Sequence, residues 1–308
     1  HRYDLGWRAN RRARALQADV IYTWLPQAGL FGLLRGFPLV FELHGPPEGR
    51  FGPALFRLLL HLPGQKRLLP ITQALAQLLA ERGMQFDQPA RQNSLVVSPN
   101  GIDLERYAGL PDPATARYRL GLKEAPTVGY TGHLYAGRGV GLLVELARRL
   151  PQVQFLWVGG READVEIWQR KLQAEGLTNV LLTGFVENSQ LPIYQAAADV
   201  LLMPYERVIT GSSGGNSAAY ASPMKMFEYM ACHRPILSSD LPVIREVLNE
   251  TNAVLCAPED GAGWTEALTA LLGDEARRNS LAHQAWQDVQ SYTWLERARR
   301  ALAGFPTR

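Results

Sequence analysis

The stretch SPMKMFEYMACHRPILSSD, from Ser222 to Asp240, reads as a short loop, one amphipathic helix and a buried strand. Ser222-Pro223 marks the helix start, because proline loses nothing where the first helical N–H has no intrahelical partner anyway. Met224, Phe227, Met230 and Ala231 recur at helical spacing and make one apolar face. His233-Arg234-Pro235 ends the helix, and Ile236-Leu237 opens the strand. Glu228 lies between Phe227 and Tyr229, with apolar neighbours a turn away on either side. A carboxylate so placed is either paired within the fold or waiting for a ligand, since an unpaired buried charge is expensive.

Strand and helix patterns alternate on both sides of this segment, the signature of parallel α/β sheets. Strands are expected at Val20–Thr23, Pro38–Leu43, Arg67–Ile71 and Leu95–Ser98, with helices near Ala28–Leu34, Phe51–Leu62 and Gln73–Glu81. A second sheet begins at Thr127 and continues through Gln154–Val158, Val180–Thr183, Asp199–Met203, Pro235–Ser238 and Ala253–Leu255. Few strand signals occur from Asp103 to Pro126, which makes that segment the expected linker between two domains. The domains are placed at residues 1–110 and 111–290, with a terminal helix at 291–308. The loop Gly211–Ser217, rich in glycine and serine, reads as a mobile lid.

The strand from Thr127 runs into GHLYAGRGVGLL, Gly132 to Leu143. Strand, glycine turn and helix in that order present free N–H groups to a phosphate. The glycines do not spell a dinucleotide fingerprint, so a plain turn stays open beside a phosphate site. Lys225, one helical turn before Glu228, either neutralises an anion at the helix start or pairs with Glu228. His44 closes the buried strand FELHG, and strand C-termini are where open α/β sheets bind ligands. It is either a ligand-side group or a structural hydrogen-bonder. Glu206, after the strand end at Pro204-Tyr205, is a site residue or polar loop.

Taken in order, ELHG, SPNGID, the glycine turn, TGFV, SPMKMFEYMA and a late YTW resemble the GT-B retaining glycosyltransferases of glycosyltransferase family 4 (glycosyl transferases group 1). The resemblance implies two Rossmann-like, doubly wound α/β domains facing across a cleft. It implies transfer of a sugar from a nucleotide-diphosphate donor to a glycan or lipid-linked acceptor hydroxyl, with retention, in polysaccharide or glycoconjugate synthesis. The donor residues it implies are Gly132, His133, Arg138, Phe185, Val186, Ser222, Pro223, Met224, Lys225 and Glu228. Glu228 takes the ribose and Phe185-Val186 the base. Catalytic roles fall to His44, Arg138 and Lys225, with no metal or other cofactor. The family's second glutamate is replaced by Tyr220, and its usual arginine and lysine positions carry His133 and Arg138. Its opening strand and glycine-rich loop have no counterpart before Val20, and the chain opens on His1, so the first domain is expected to be incomplete and the activity of this chain is left open. A degenerate nucleotide-sugar-binding module or an epimerase on the same fold are the rival readings.

At 308 residues the chain is roughly two domains long, and 46% hydrophobic residues supply the cores. A net charge of +3 gives no argument for nucleic acid. Arg2, Arg8, Arg11, Arg12 and Arg14 crowd the N-terminus, as a patch for an anionic membrane surface or as a solvated helix face. The cysteines Cys232 and Cys256 have no metal-ligand spacing and suggest a reducing compartment. No apolar run reaches the roughly 18 residues a membrane span needs. The expected location is therefore cytoplasmic, with peripheral contact at the inner membrane face left open.

Overall fold

The computed structural model describes residues 2–84, 93–209 and 216–306. It divides into two compact units. The first holds residues 1–100, 219–222 and 295–308; the second holds 101–218 and 223–294.

The first unit is built on a parallel sheet of β1 (Ile21–Thr23), β2 (Leu39–Leu43), β3 (Lys66–Pro70) and β4 (Asn93–Leu95), in that spatial order. Thr23 pairs with Phe41, and Phe41 with Leu68. The central strands are apolar on both faces because both faces are covered, as parallel sheets require. Leu39, Phe41 and Leu68 meet Phe56, Leu59, Leu75 and Leu79 on one side. Val40 and Leu69 meet Ala301 and Phe305 on the other. Arg67 secures that second side, donating to the carbonyls of Ala301 (3.1 Å) and Ala303 (2.8 Å) and lying 5.0 Å over the Phe305 ring.

The second unit contains β5 (Thr127–Thr131), β6 (Gln154–Val158), β7 (Val180–Leu182), β8 (Val200–Met203), β9 (Ile236–Ser239) and β10 (Val254–Cys256). All pairs are parallel and the spatial order is β10-β9-β8-β5-β6-β7. The chain therefore winds outward from β5 to β7, then returns to the centre at β8 and winds the other way. The C-terminal ends of β5 and β8 flank that reversal, the topological switch point at which open α/β sheets bind ligands.

The boundaries differ from the sequence expectation. The first unit ends at Asn100, and the segment expected as a linker is part of the second. Leu104–Tyr107 forms a 3₁₀ turn and Pro113–Arg119 a helix, both too short to stand out as periodic patterns. Asp112 caps the helix by accepting from Thr115 N at 2.9 Å, and Arg117 is buried through bonds to Asp199 (3.1 Å) and Glu124 (2.9 Å). The helix Trp294–Leu302 lies where the sequence places it, and from Leu295 onward it groups with the first unit. Of the loop read as a lid, Gly211–Ser217, residues 211–215 lie outside the described residues.

A buried charge cluster ties the terminal helix to the first sheet. Arg297 donates to Glu42 and to Tyr22 Oη (3.0 Å), Tyr22 donates to Glu42 (2.5 Å), and Arg297 Nε reaches the Pro99 carbonyl (3.0 Å). Removing Arg297 takes the guanidinium from a largely buried carboxylate and leaves Glu42 only the bonds of Tyr22 and His44. Arg297→Leu should therefore lower the unfolding free energy by about 3–5 kcal/mol, and the double change Arg297→Leu/Glu42→Leu should recover most of that loss. Urea unfolding of the three proteins measures both; a double variant no more stable than Arg297→Leu would disprove the compensation.

Candidate functional site

The site of the second unit grows from the end of β5. Tyr130 is buried in that strand, and its hydroxyl donates to the His133 carbonyl (2.6 Å), closing the turn that follows. Gly132 sits in this turn with φ +139°, and a Cβ there would lie 2.8 Å from Lys225 Nζ. Gly139 has φ +72° and passes so close to Pro204 that an added Cβ would fall 1.6 Å from its carbonyl oxygen. Only glycine satisfies both the left-handed backbone and that approach. The contact sets the turn after β5 against the segment after β8. Glu206 seals it by accepting from Gly139 N at 3.3 Å.

Two cations meet at this junction. Arg138 donates to Tyr205 Oη (3.0 Å) and Tyr135 Oη (2.6 Å), and its guanidinium carbon lies 4.9 Å and 5.3 Å over the rings of Tyr135 and Tyr205. Lys225 Nζ is 4.0 Å over the Tyr130 ring and 5.2 Å over that of Tyr205. Among the described residues, no salt bridge joins either cation to a carboxylate, so Lys225 does not pair with Glu228. Although Lys225 as a residue is partly exposed, its ammonium is desolvated by the rings and repelled by Arg138. Those effects hold its pKa well below that of an ordinary lysine, against the weaker pull of Glu228. His133 stacks on Tyr135 with centroids 5.2 Å apart. Burial, then the charges of Arg138, Arg161 and Lys225, lower its pKa as well.

Glu228 lies on the buried face of the helix Met224–Ala231 and is 8% exposed. Burial pushes its carboxyl up; a hydrogen bond from Gln195 Nε2 (3.3 Å) and the charges of Lys225 and Arg106 oppose that. Pro223 precedes the helix as its cap, and no side chain caps the first turn. Met224 and Phe185 are both exposed, at 46% and 76%. Val186 follows Phe185 in the loop after β7.

The structure thus gathers Gly132, His133, Arg138 and Lys225 at the switch point, with Glu228 one turn further along the same helix as Lys225. Ser222 belongs to the first unit, where its hydroxyl accepts from Asn100 N (3.2 Å) and its carbonyl from Asn100 Nδ2 (2.7 Å). His44 is also in the first unit, at the C-terminal end of β2, with Nε2 2.9 Å from Glu42. Burial works against the Glu42 charge, but bonds from His44, Tyr22 and Arg297 outweigh it and hold the carboxyl down at about 2. Sequence reasoning missed Tyr130, Tyr135, Tyr205 and Gln195, which look like ordinary core or turn residues. The one available signal was the position of Tyr130 and Tyr205 at the ends of central strands.

Residues 125–274 match the family model described as Glycosyl transferases group 1, and so carry such a domain. A D-inositol 3-phosphate glycosyltransferase of Xylanimonas cellulosilytica is 31% identical over 218 residues, 67% of this chain and 49% of that protein. A putative teichuronic acid biosynthesis glycosyltransferase of Bacillus subtilis is 24% identical over 212 residues, 64% of this chain and 50% of that protein. The chain spans about half the length of these curated relatives. Among solved structures, HepE of Anabaena in complex with UDP superposes with a TM-score of 0.74 at 20% identity, over 96% of this chain and 80% of that one. Sucrose-phosphate synthase from Thermosynechococcus elongatus does so with a TM-score of 0.70 at 20% identity, over 96% and 76%. The fold is the α/β, parallel-sheet GT-B fold that the resemblance implied.

The depressed pKa of Lys225 has a sign that can be checked. Below the ordinary lysine pKa the unfolded chain binds the proton more readily than the folded one, so the group opposes folding there and the opposition fades as pH rises toward that value. Replacing it by Met should raise the melting temperature near neutral pH by about 2–4 °C and flatten this part of the pH dependence. A Lys225→Met protein that melts lower than the parent would refute the uncompensated-cation account.

Proposed function

We propose that the second unit binds the diphosphate of a nucleotide-sugar donor, and that the protein is a retaining hexosyltransferase acting on a glycan or lipid-linked acceptor hydroxyl in polysaccharide or glycoconjugate synthesis. The observation that carries this reading is the pair Arg138 and Lys225, held by tyrosines at the switch point of a parallel sheet with, among the described residues, no salt bridge to a carboxylate. Each cation–π contact contributes about 0.5–2 kcal/mol. Taking a charge out of water costs several kcal/mol per ion. The tyrosines therefore position the two cations without neutralising either, and an anion with two negative centres completes the site. The relatives named above are glycosyltransferases and HepE was solved with UDP, which makes UDP the first nucleotide to try.

In this reading the bond between the sugar anomeric carbon and the diphosphate breaks, the diphosphate leaves with the electron pair, and the acceptor oxygen bonds to that carbon as its proton passes to the departing diphosphate oxygen. Arg138, Lys225 and the backbone N–H groups of the turn and helix start meet the charge as it grows on the leaving group. Gly132 leaves room for Lys225 beside the turn, and His133 adds a positive charge when protonated. Glu228 accepts the ribose hydroxyls. Phe185, exposed after β7, lies against the base beside Val186. Pro223 and Met224 shape the helix entry, with Ser222 before them. His44, oriented by Glu42, serves the acceptor side. We assign no metal to the reaction, because two fixed cations already meet the diphosphate; activity that persists in EDTA is the expected result.

Calorimetric titration with UDP, GDP and ADP tests the donor site. One nucleotide should bind, and Arg138→Leu or Lys225→Met should each weaken it by about tenfold or more, as loss of a charge-assisted bond implies. A bound diphosphate favours the charged forms of Lys225 and His133, whose pKa values are depressed in the free protein. Binding should then take up protons and weaken as pH rises, seen as a dependence of the heat on buffer ionisation enthalpy. Nucleotide binding unchanged in both variants would remove the diphosphate role.

A further inference from the structure

Gln195 is fully buried on the short helix Leu191–Ala196, where its neighbours Ala196, Ala197 and Ala198 are buried too. Its Nε2 donates to two acceptors, Thr131 Oγ1 and Glu228 Oε2, each at 3.3 Å. Thr131, at the end of β5, passes the connection on: its Oγ1 donates to Tyr229 Oη (3.2 Å), and its backbone N–H reaches the same oxygen (2.8 Å). One amide thus joins the central strand of the sheet to the helix that carries Glu228. Its own Oε1 is buried and, among the described residues, receives no hydrogen bond. Methionine or leucine would fill this space without burying an amide, so packing alone gives no reason for glutamine here.

The chemistry of the partner supplies a reason. A carboxylate has about four acceptor positions, and a ligand hydroxyl needs some of them left open. An arginine or lysine in place of Gln195 would occupy Glu228 as an ion pair. A neutral amide gives one bond to Oε2, fixes the plane of the carboxylate and leaves the rest of its capacity available. Among the described residues, the other groups around Glu228 are Lys225 and Tyr229 on its own helix, Cys232 capping that helix, Arg106 and Tyr107 on the 3₁₀ turn, and Tyr205 after β8. Of all these, Gln195 gives the one side-chain hydrogen bond to the carboxylate among the described residues.

We propose that Gln195 is a positioning residue for nucleotide recognition: it holds the Glu228 carboxylate in the orientation that accepts the ribose hydroxyls, and so sets the preference for a ribonucleotide. This rests on the ribose role given to Glu228 above. The test is the ratio of affinities for the nucleotide that the full chain binds among UDP, GDP and ADP and for its 2′-deoxy and 3′-deoxy analogues. Calorimetry would be run on the parent chain, Glu228→Ala, Gln195→Met and Gln195→Leu, with a melting curve for each.

The parent should prefer the ribonucleotide by about tenfold or more, the scale of a hydrogen bond to a charged group. Glu228→Ala should bring the ratio near one; a ratio left intact there would overturn the ribose role itself. With that role standing, Gln195→Met or Gln195→Leu should also reduce the ratio severalfold while the protein still melts cooperatively. If the Gln195 variants weaken ribo- and deoxynucleotide equally, or leave both unchanged, the positioning role is overturned and Glu228 is not. If both Gln195 variants fail to fold, the amide serves the fold and the inference is likewise overturned. Absence of any nucleotide binding to the parent would overturn both readings together.

Discussion

The candidate site of the second unit depends on two cations gathered in one place with, among the described residues, no carboxylate in a salt bridge to either. Arg138 comes from the turn after β5 and Lys225 from the start of a helix before β9, and Tyr205, following β8, touches both. Like charges repel and desolvation is unfavourable, so the charge on Lys225 opposes folding, while Arg138 is held by its two tyrosine hydroxyls. The pair is held by what surrounds it. Tyr130 is anchored in the central strand β5 and Tyr205 is buried just after β8, Gly139 brings the turn against Pro204, and the sheet winding makes β5 and β8 neighbours. Stability drawn from the apolar sheet offsets the desolvation of Lys225 at this junction, which is the usual relation between a scaffold and its site.

The first unit treats its buried charge in the opposite way. Glu42 receives Tyr22, His44 and Arg297, and its carboxyl is held strongly acidic by those bonds despite burial. That carboxylate is satisfied by the fold, and its visible consequences are a terminal helix fixed to the sheet and a histidine fixed at the end of β2. Glu228 stands between these extremes. It is buried, carries among the described residues a single side-chain hydrogen bond, from an uncharged donor, and is pushed toward its neutral form. A carboxylate in that condition gains more from a polar ligand than one already paired.

The sheets were legible because parallel strands, covered on both faces, are written as short runs of apolar residues separated by helical patterns and glycine turns. The ten strands of the described residues fall within a few residues of their sequence-derived places. The boundaries between units were not legible in the same way. Asn100 and Gly101 are adjacent in sequence yet fall in different units, and the helix around Arg117 owes its burial to Asp199, some eighty residues away. Local periodicity carries no information about such partners.

For the candidate site, the sequence by itself determined the positions of Gly132, His133, Arg138, Lys225 and Glu228, because glycine turns and a carboxylate inside an apolar helix are local features. It also set the order of motifs that points to a glycosyl transferases group 1 domain. Tertiary structure alone decided what those residues have as company. It put Lys225 against Tyr130 and Tyr205 rather than against Glu228, gave Arg138 two tyrosine hydroxyls, and brought Gln195 to Glu228 across thirty-three residues of chain. The reason is physical: charge state and ligand capacity depend on distances of a few ångströms between groups far apart in sequence. Those distances are fixed by which strands become neighbours when the sheet winds.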